Sequence, residues 1–127
     1  MKEYLNGLQH IGILVKDFDK TCVFYKQIGF EEAYSTKQPN GGKAAFYKLG
    51  DLMLELYESS DWKGISGTID HFSIDCSDID KAYAEVTAMG AEVVSNGIEA
   101  LPYWEHGIRF FTIKSPNGEK VEFCMKL

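Results

Sequence analysis

Apolar and polar positions alternate through residues 8–15 (LQHIGILV), which reads as a strand with Ile11, Ile13 and Val15 on one face and His10, Gly12 and Leu14 on the other. From Asp17 the period changes. Phe18, Cys22, Phe24, Tyr25 and Ile28 recur at helical spacing, Asp17 has the carboxylate an N-cap needs, and Gly29 supplies the stop. Residues 30–37 predict a second strand and Gln38-Pro39-Asn40-Gly41-Gly42 a turn. Residues 43–49 and 51–58 predict a hairpin about Gly50-Asp51. A polar, glycine-containing stretch, 59–68, reads as a linker. The order then returns: a strand over 69–76, a helix from about Asp78 to Met89 stopped by Gly90, and a strand over 91–95. A longer loop over 96–106 contains Pro102, and strands over 107–114 and 119–126 flank a tight turn at Ser115-Pro116-Asn117-Gly118.

The return is a repeat in residues as well as in elements. Residues 8–31 and 69–92 align without a gap at His10/His71, Ile13/Ile74, Asp17/Asp78, Asp19/Asp80, Lys20/Lys81, Gly29/Gly90 and Glu31/Glu92, always 61 positions apart. Each half also ends alike, with Glu55 in DLMLELYE and Glu122 in GEKVEFCMKL. The glutamates are 67 apart, so the second half carries about six extra residues, most simply in the Pro102 loop. The expected fold is α+β: one domain over 1–127 built from two tandem βαβββ modules, about 8–58 and 69–126. Each is an open, curved mixed sheet with its helix on one face, and a cleft is expected on the faces the helices leave free.

Composition narrows the partners. The 127 residues carry a formal net charge of −6 with 25% charged positions. That balance argues for a packed core and against nucleic acid or an anionic membrane as the main partner. Cys22, Cys76 and Cys124 are odd in number and show no CxxC spacing, which points to a reducing, cytoplasmic setting. The N-terminal residues MKEYLNGLQH have no apolar signal-peptide core, and no apolar run reaches the ~20 residues of a membrane span.

Strand parity places the repeated polar residues together. His10, Glu55, His71 and Glu122 each sit on the strand face opposite a continuous aliphatic row. If those rows pack on the helices, the four polar side chains point into the cup. Two imidazoles and two carboxylates suit a borderline divalent cation such as Zn²⁺, Ni²⁺ or Co²⁺. Satisfied core histidines with surface glutamates are the plainer alternative, but four such residues at equivalent points of a repeat favour the metal.

The motifs LQHIGILVKDFDKTCVFYKQIGF, LMLELYE, IDHFSIDCSDIDKA and SPNGEKVEF resemble those of the vicinal-oxygen-chelate superfamily. It contains glyoxalase I, fosfomycin-resistance enzymes, extradiol dioxygenases, methylmalonyl-CoA epimerase and bleomycin-binding proteins. The resemblance runs from about Leu8 to Lys126, and it implies paired βαβββ modules, a metal in their cleft and usually a homodimer. His10, Glu55, His71 and Glu122 fall on all four ligand positions of glyoxalase I, the member the pattern resembles most. That implies a metal-dependent lyase or isomerase converting the hemithioacetal of methylglyoxal and glutathione to S-lactoylglutathione. Glu122 would be the base, Glu55 its counterpart, and the metal would stabilise an enediolate. Leu14 stands where glyoxalase I usually has arginine and Ser59 where it usually has asparagine. These departures point away from a glutathione-linked substrate and keep open an epimerase or isomerase on another hydroxy-carbonyl compound. Gly12 stands where fosfomycin enzymes typically have threonine. A non-catalytic binding protein like the bleomycin-binding members is the other alternative, although it has no need of the four ligands.

The remaining candidates bear on the small-molecule substrate. Met53 and Tyr57 share the Glu55 face and would line its cavity. Tyr103, Trp104 and His106 either cover a cleft or anchor their loop. Arg109 either holds an anionic substrate group or forms a surface ion pair. Cys124 shares the Glu122 face and reads by default as an inert thiol.

Overall fold

The computed structural model describes Glu3 and residues 6–127. The chain divides into two compact units, Met1–Trp62 and Lys63–Leu127. The first comprises β1 (Ile11–Val15), α1 (Phe18–Gln27), β2 (Glu31–Lys37), β3 (Lys43–Leu49) and β4 (Leu52–Glu58). The second comprises β5 (His71–Asp75), α2 (Ile79–Ala88), β6 (Glu92–Val93), β7 (Glu99–Leu101), β8 (Ile108–Lys114) and β9 (Lys120–Lys126). The fold is α+β with two mixed sheets, as the sequence leads one to expect. No helix among the described residues is long and apolar enough to cross a membrane.

The first unit's sheet has the order β1-β4-β3-β2, with β1 parallel to β4 and the other pairs antiparallel. Its aliphatic row is buried as parity requires: Ile13, Val15, Leu54 and Leu56 face α1, which contributes Cys22 and Tyr25. Tyr25 meets Phe24 and Phe30 edge-on, with centroids 5.1 and 5.3 Å away. The second unit's order is β5-β9-β8-β6, with β7 also on β8 and β5 parallel to β9. Here Ile79 and Val86 of α2 are buried with Phe111, Ile113, Val121 and Phe123, and the Phe111 and Phe123 rings stack at 4.8 Å.

Both helices start and stop where the sequence says. Lys20 N–H donates to Asp17 and Lys81 N–H to Asp78, at 3.1 and 3.0 Å. Gly29 and Gly90 follow the helices with φ of 104° and 77°, the left-handed conformation that costs a side chain most.

Three expected boundaries shift. The first strand starts at Ile11 rather than Leu8, and its counterpart at His71 rather than Ile69. Continued backwards, the register would set Leu8 and Ile69 against the Gly50-Asp51 and Ser115–Gly118 turns, where no extended partner exists. Residues 91–95 pair only at Glu92 and Val93. The predicted 96–106 loop contains a strand, β7, that resumes the same edge of β8. From Val93 to Glu99 this edge advances six positions while β8 advances three, from Ile113 to Phe110. A bulge at 94–98 therefore shares the extra length with the Pro102 loop, and Ser95 stitches it to β8 by accepting from Thr112 N–H at 2.9 Å.

Candidate functional site

Each unit brings one predicted histidine to one predicted glutamate. In the first, His10 stands just before β1 and Glu55 lies mid-β4, with Nε2 and Oε2 3.2 Å apart. In the second, His71 opens β5 and Glu122 lies mid-β9, with the same atoms 3.6 Å apart. The parallel pairings β1–β4 and β5–β9 create both contacts. They set Glu55 opposite Gly12 and Glu122 opposite Ser73, so each glutamate shares a face with the histidine two residues before its partner.

The other ring nitrogen of each histidine is also engaged. His71 Nδ1 stands 3.0 Å from Asp70 Oδ2, and His10 Nδ1 contacts Gln9 Oε1. Asp70 in turn accepts from Lys120 Nζ at 2.8 Å. The Lys120 hydrogen bond, and after it the one from His71, holds the Asp70 carboxyl below the usual carboxylate range. An anionic acceptor at Nδ1 places the proton there and turns the Nε2 lone pair toward the glutamate, the arrangement typical of metal-binding histidines. Gln9 and Asp70 are 61 positions apart, at the same point of the repeat, which is the signal by which the sequence could have shown them. Ser73 was visible as a residue on the Glu122 face. Its role was not: its hydroxyl donates to Glu122 Oε1 at 2.8 Å.

The distances fit a metal donor pair. Two donors about 2.1 Å from one ion stand about 3.0 Å apart at a right angle and about 3.4 Å apart at the tetrahedral angle. Both His–Glu separations are of that size. With Nδ1 protonated, a bare Nε2 facing a carboxylate oxygen brings two acceptors together, and something positive must lie between them. Neither unit by itself gathers three His, Cys, Asp or Glu side chains at one point among the described residues. A pair alone is half of a usual donor set.

The remaining candidates lie as follows. Tyr57 and Met53 are half-buried on the Glu55 face, and Tyr57 crowds Gly12 beside Glu55: a Cβ on Gly12 would stand 3.5 Å from Tyr57 Cε1 and 3.6 Å from Glu55 Oε2. Arg109 forms a two-pronged ion pair with Asp80 of α2, at 2.7 and 2.8 Å. Tyr103 and Trp104 are exposed, with Trp104 in the left-handed region at φ 62° and its ring 3.9 Å from Lys126 Nζ. His106 stands 3.7 Å from Glu105. Burial, and then the nearby Glu122 charge, pushes the Cys124 thiol up, so it stays protonated and unreactive near neutrality.

The chain resembles proteins with related chemistry. It is 29% identical over 125 residues to the uncharacterized protein YwbC of Bacillus subtilis, covering 94% of this chain and 97% of that one. It is 31% identical over 94 residues to the metallothiol transferase FosB of Shouchella clausii, covering 71% of this chain and 62% of the relative. In three dimensions it matches the fosfomycin resistance protein FosX of Listeria monocytogenes, solved with Mn(II) and sulfate, at a TM-score of 0.75 and 21% identity over 97% of this chain and 94% of that one. At that identity the likeness to FosX is one of fold. The pattern of the Glyoxalase/Bleomycin resistance protein/Dioxygenase superfamily matches residues 7–123, which takes in both His–Glu pairs, and the chain belongs to that superfamily.

Proposed function

We propose that the chain is a divalent-metal-dependent enzyme that acts on a small oxygenated molecule, with His10, Glu55, His71 and Glu122 as the ligand set. The observation that carries this reading is the duplicated pair: in each unit a histidine presents Nε2 to a glutamate oxygen at 3.2 or 3.6 Å. FosX was solved with Mn(II) and FosB is named a metallothiol transferase, so metal use by relatives supports the reading. Mn²⁺ joins Ni²⁺, Co²⁺ and Zn²⁺ as a candidate ion.

The finer reading is glyoxalase-I-like. A bound divalent ion supplies Lewis-acid stabilisation of negative charge developing on a substrate oxygen. A glutamate carboxylate takes the proton from carbon beside the carbonyl and returns it to the neighbouring carbon, so the reaction is a proton transfer with no net redox change. Gln9 and Asp70 keep the two imidazoles aimed, and Tyr57 and Met53 offer apolar surface beside Glu55. The reading carries a small-molecule substrate, a homodimer and a cytoplasmic setting with it. A second reading is favoured by FosB and FosX: addition of a thiol or water to a fosfomycin-like epoxide.

One assay separates them. Protein loaded with Mn²⁺, Ni²⁺, Co²⁺ or Zn²⁺ is given the methylglyoxal–glutathione hemithioacetal, and separately fosfomycin with a thiol or in water. S-lactoylglutathione formation that disappears in Glu55→Gln, Glu122→Gln or both supports the glyoxalase-like reading. Consumption of fosfomycin alone selects the second. A metal-loaded protein inert to both leaves proton transfer on another hydroxy-carbonyl compound as the reading to assay next.

A further inference from the structure

The two carboxylates occupy equivalent register positions but different surroundings. Glu122 faces Ser73, whose hydroxyl donates to Oε1 at 2.8 Å and leaves Oε2 toward His71. Glu55 faces Gly12, which has no side chain to donate. The Glu122 side chain is also the less exposed of the two, 16% against 29%. The last torsion of a glutamate is broad and roughly two-fold, so an untethered carboxylate exchanges its oxygens freely. A hydroxyl held on one oxygen opposes that exchange. The histidines differ in the same sense: His71 is braced by the charged Asp70–Lys120 pair, His10 by the neutral amide of Gln9.

From this asymmetry we infer that Ser73 is a positioning residue: it fixes Glu122 as a one-oxygen metal donor, while Glu55, opposite Gly12, remains the carboxylate free to swing. The inference rests on the proposal that the two pairs hold a divalent ion. It also bears on the division of labour. A carboxylate that must leave the metal to carry a proton needs the freedom Glu55 has and Glu122 lacks. That assigns proton transfer to Glu55 and inverts the roles implied by the resemblance to glyoxalase I.

Co²⁺ tests this, because its visible absorption reports ligand geometry independently of turnover. The intact chain is titrated with Co²⁺ by calorimetry and by absorption, alongside Ser73→Ala, Ser73→Thr, Gly12→Ser, Glu55→Gln and Glu122→Gln. The fold of each apoprotein is checked by its thermal midpoint. Ser73→Ala is expected to weaken Co²⁺ binding about tenfold and to change the absorption bands, with Ser73→Thr restoring both. Glu122→Gln should weaken binding more than Glu55→Gln. Gly12→Ser gives Glu55 a donor at a position where a Cβ meets only ordinary contacts, and should shift the bands while the fold is kept. Wild-type affinity and spectrum in Ser73→Ala overturn the inference while leaving the metal reading intact, provided Glu122→Gln loses the metal. Failure of the wild type to bind Co²⁺, or unchanged binding in Glu122→Gln, overturns the metal reading and this inference with it.

Discussion

Tyr47 shows what a single residue does to pH dependence. Its side chain is fully buried, and its hydroxyl donates to Glu32 Oε1 at 3.2 Å. Burial first, and then Cys22 and Glu32, push its ionisation well above the ordinary tyrosine range. The folded state therefore holds the phenol proton more tightly than the unfolded chain, whose tyrosines ionise near pH 10. Stability from this group is fully present below about pH 10 and declines as pH rises above it. Cys22, whose thiol is also pushed up by burial, adds a loss of the same sign that begins near the ordinary thiol value. Tyr47→Phe should cost about 1 kcal/mol at neutral pH through the lost hydrogen bond. It should also flatten the fall of the thermal midpoint between about pH 9.5 and 11, as measured by circular dichroism. An equally steep alkaline fall in the variant would show that Tyr47 carries none of it. At this scale the sequence revealed what repetition marks. His10, His71, Glu55 and Glu122 stand out because each has a twin. Ser73 has none, since its counterpart is Gly12, and a hydrogen bond present in one half only leaves no trace in the repeat.

Elements were legible where a local residue dictates them. Asp17 and Asp78 cap their helices through the N–H groups of Lys20 and Lys81, and both were readable from position alone. Asp17→Ala and Asp78→Ala should each cost about 1 kcal/mol, and the double variant about the sum, because the two caps share no partner. Urea midpoints measure this, and a double variant no worse than either single one would contradict it. The edge strand was less legible because its pairing is decided by β8 rather than by its own residues, so the bulge at 94–98 and the return at β7 appear only in the register. The turn before β9 hid a tertiary constraint of the same kind. Gly118 has φ 103°, and a Cβ there would collide with the backbone of Gly64. The sequence shows Gly118 as a turn residue and gives no hint that the linker backbone lies against it. Gly118→Ala should destabilise by about 3 kcal/mol through strain and overpacking, whereas Gly67→Ala, which meets open space, should have little effect. Equal thermal midpoints for the two would remove the collision as a cause.

For the whole molecule, the question is how two half-sites act. The fold class followed from the βαβββ repeat, and the superfamily from motifs spread over most of the chain. The donor pairs are intra-unit facts, and neither unit gathers three such donors among the described residues. Two donors hold a divalent ion weakly, whereas four hold it firmly. If the pairs act jointly, the protein binds one ion per chain, and breaking either pair abolishes tight binding. If they act separately, it binds two ions weakly and each pair survives the loss of the other. The joint reading predicts one Mn²⁺ or Co²⁺ per chain by equilibrium dialysis. It also predicts a stabilisation of about 2.7 kcal/mol when free metal stands at a hundred times Kd. His10→Ala and His71→Ala should each remove nearly all of that stabilisation while leaving the metal-free midpoint close to the wild type, since both side chains are substantially exposed. A chelator should reverse it in the wild type and do nothing in the variants. Two ions per chain, with half of the stabilisation retained in each variant, would show that duplication here produced two independent weak sites, and the four-ligand reading would be wrong.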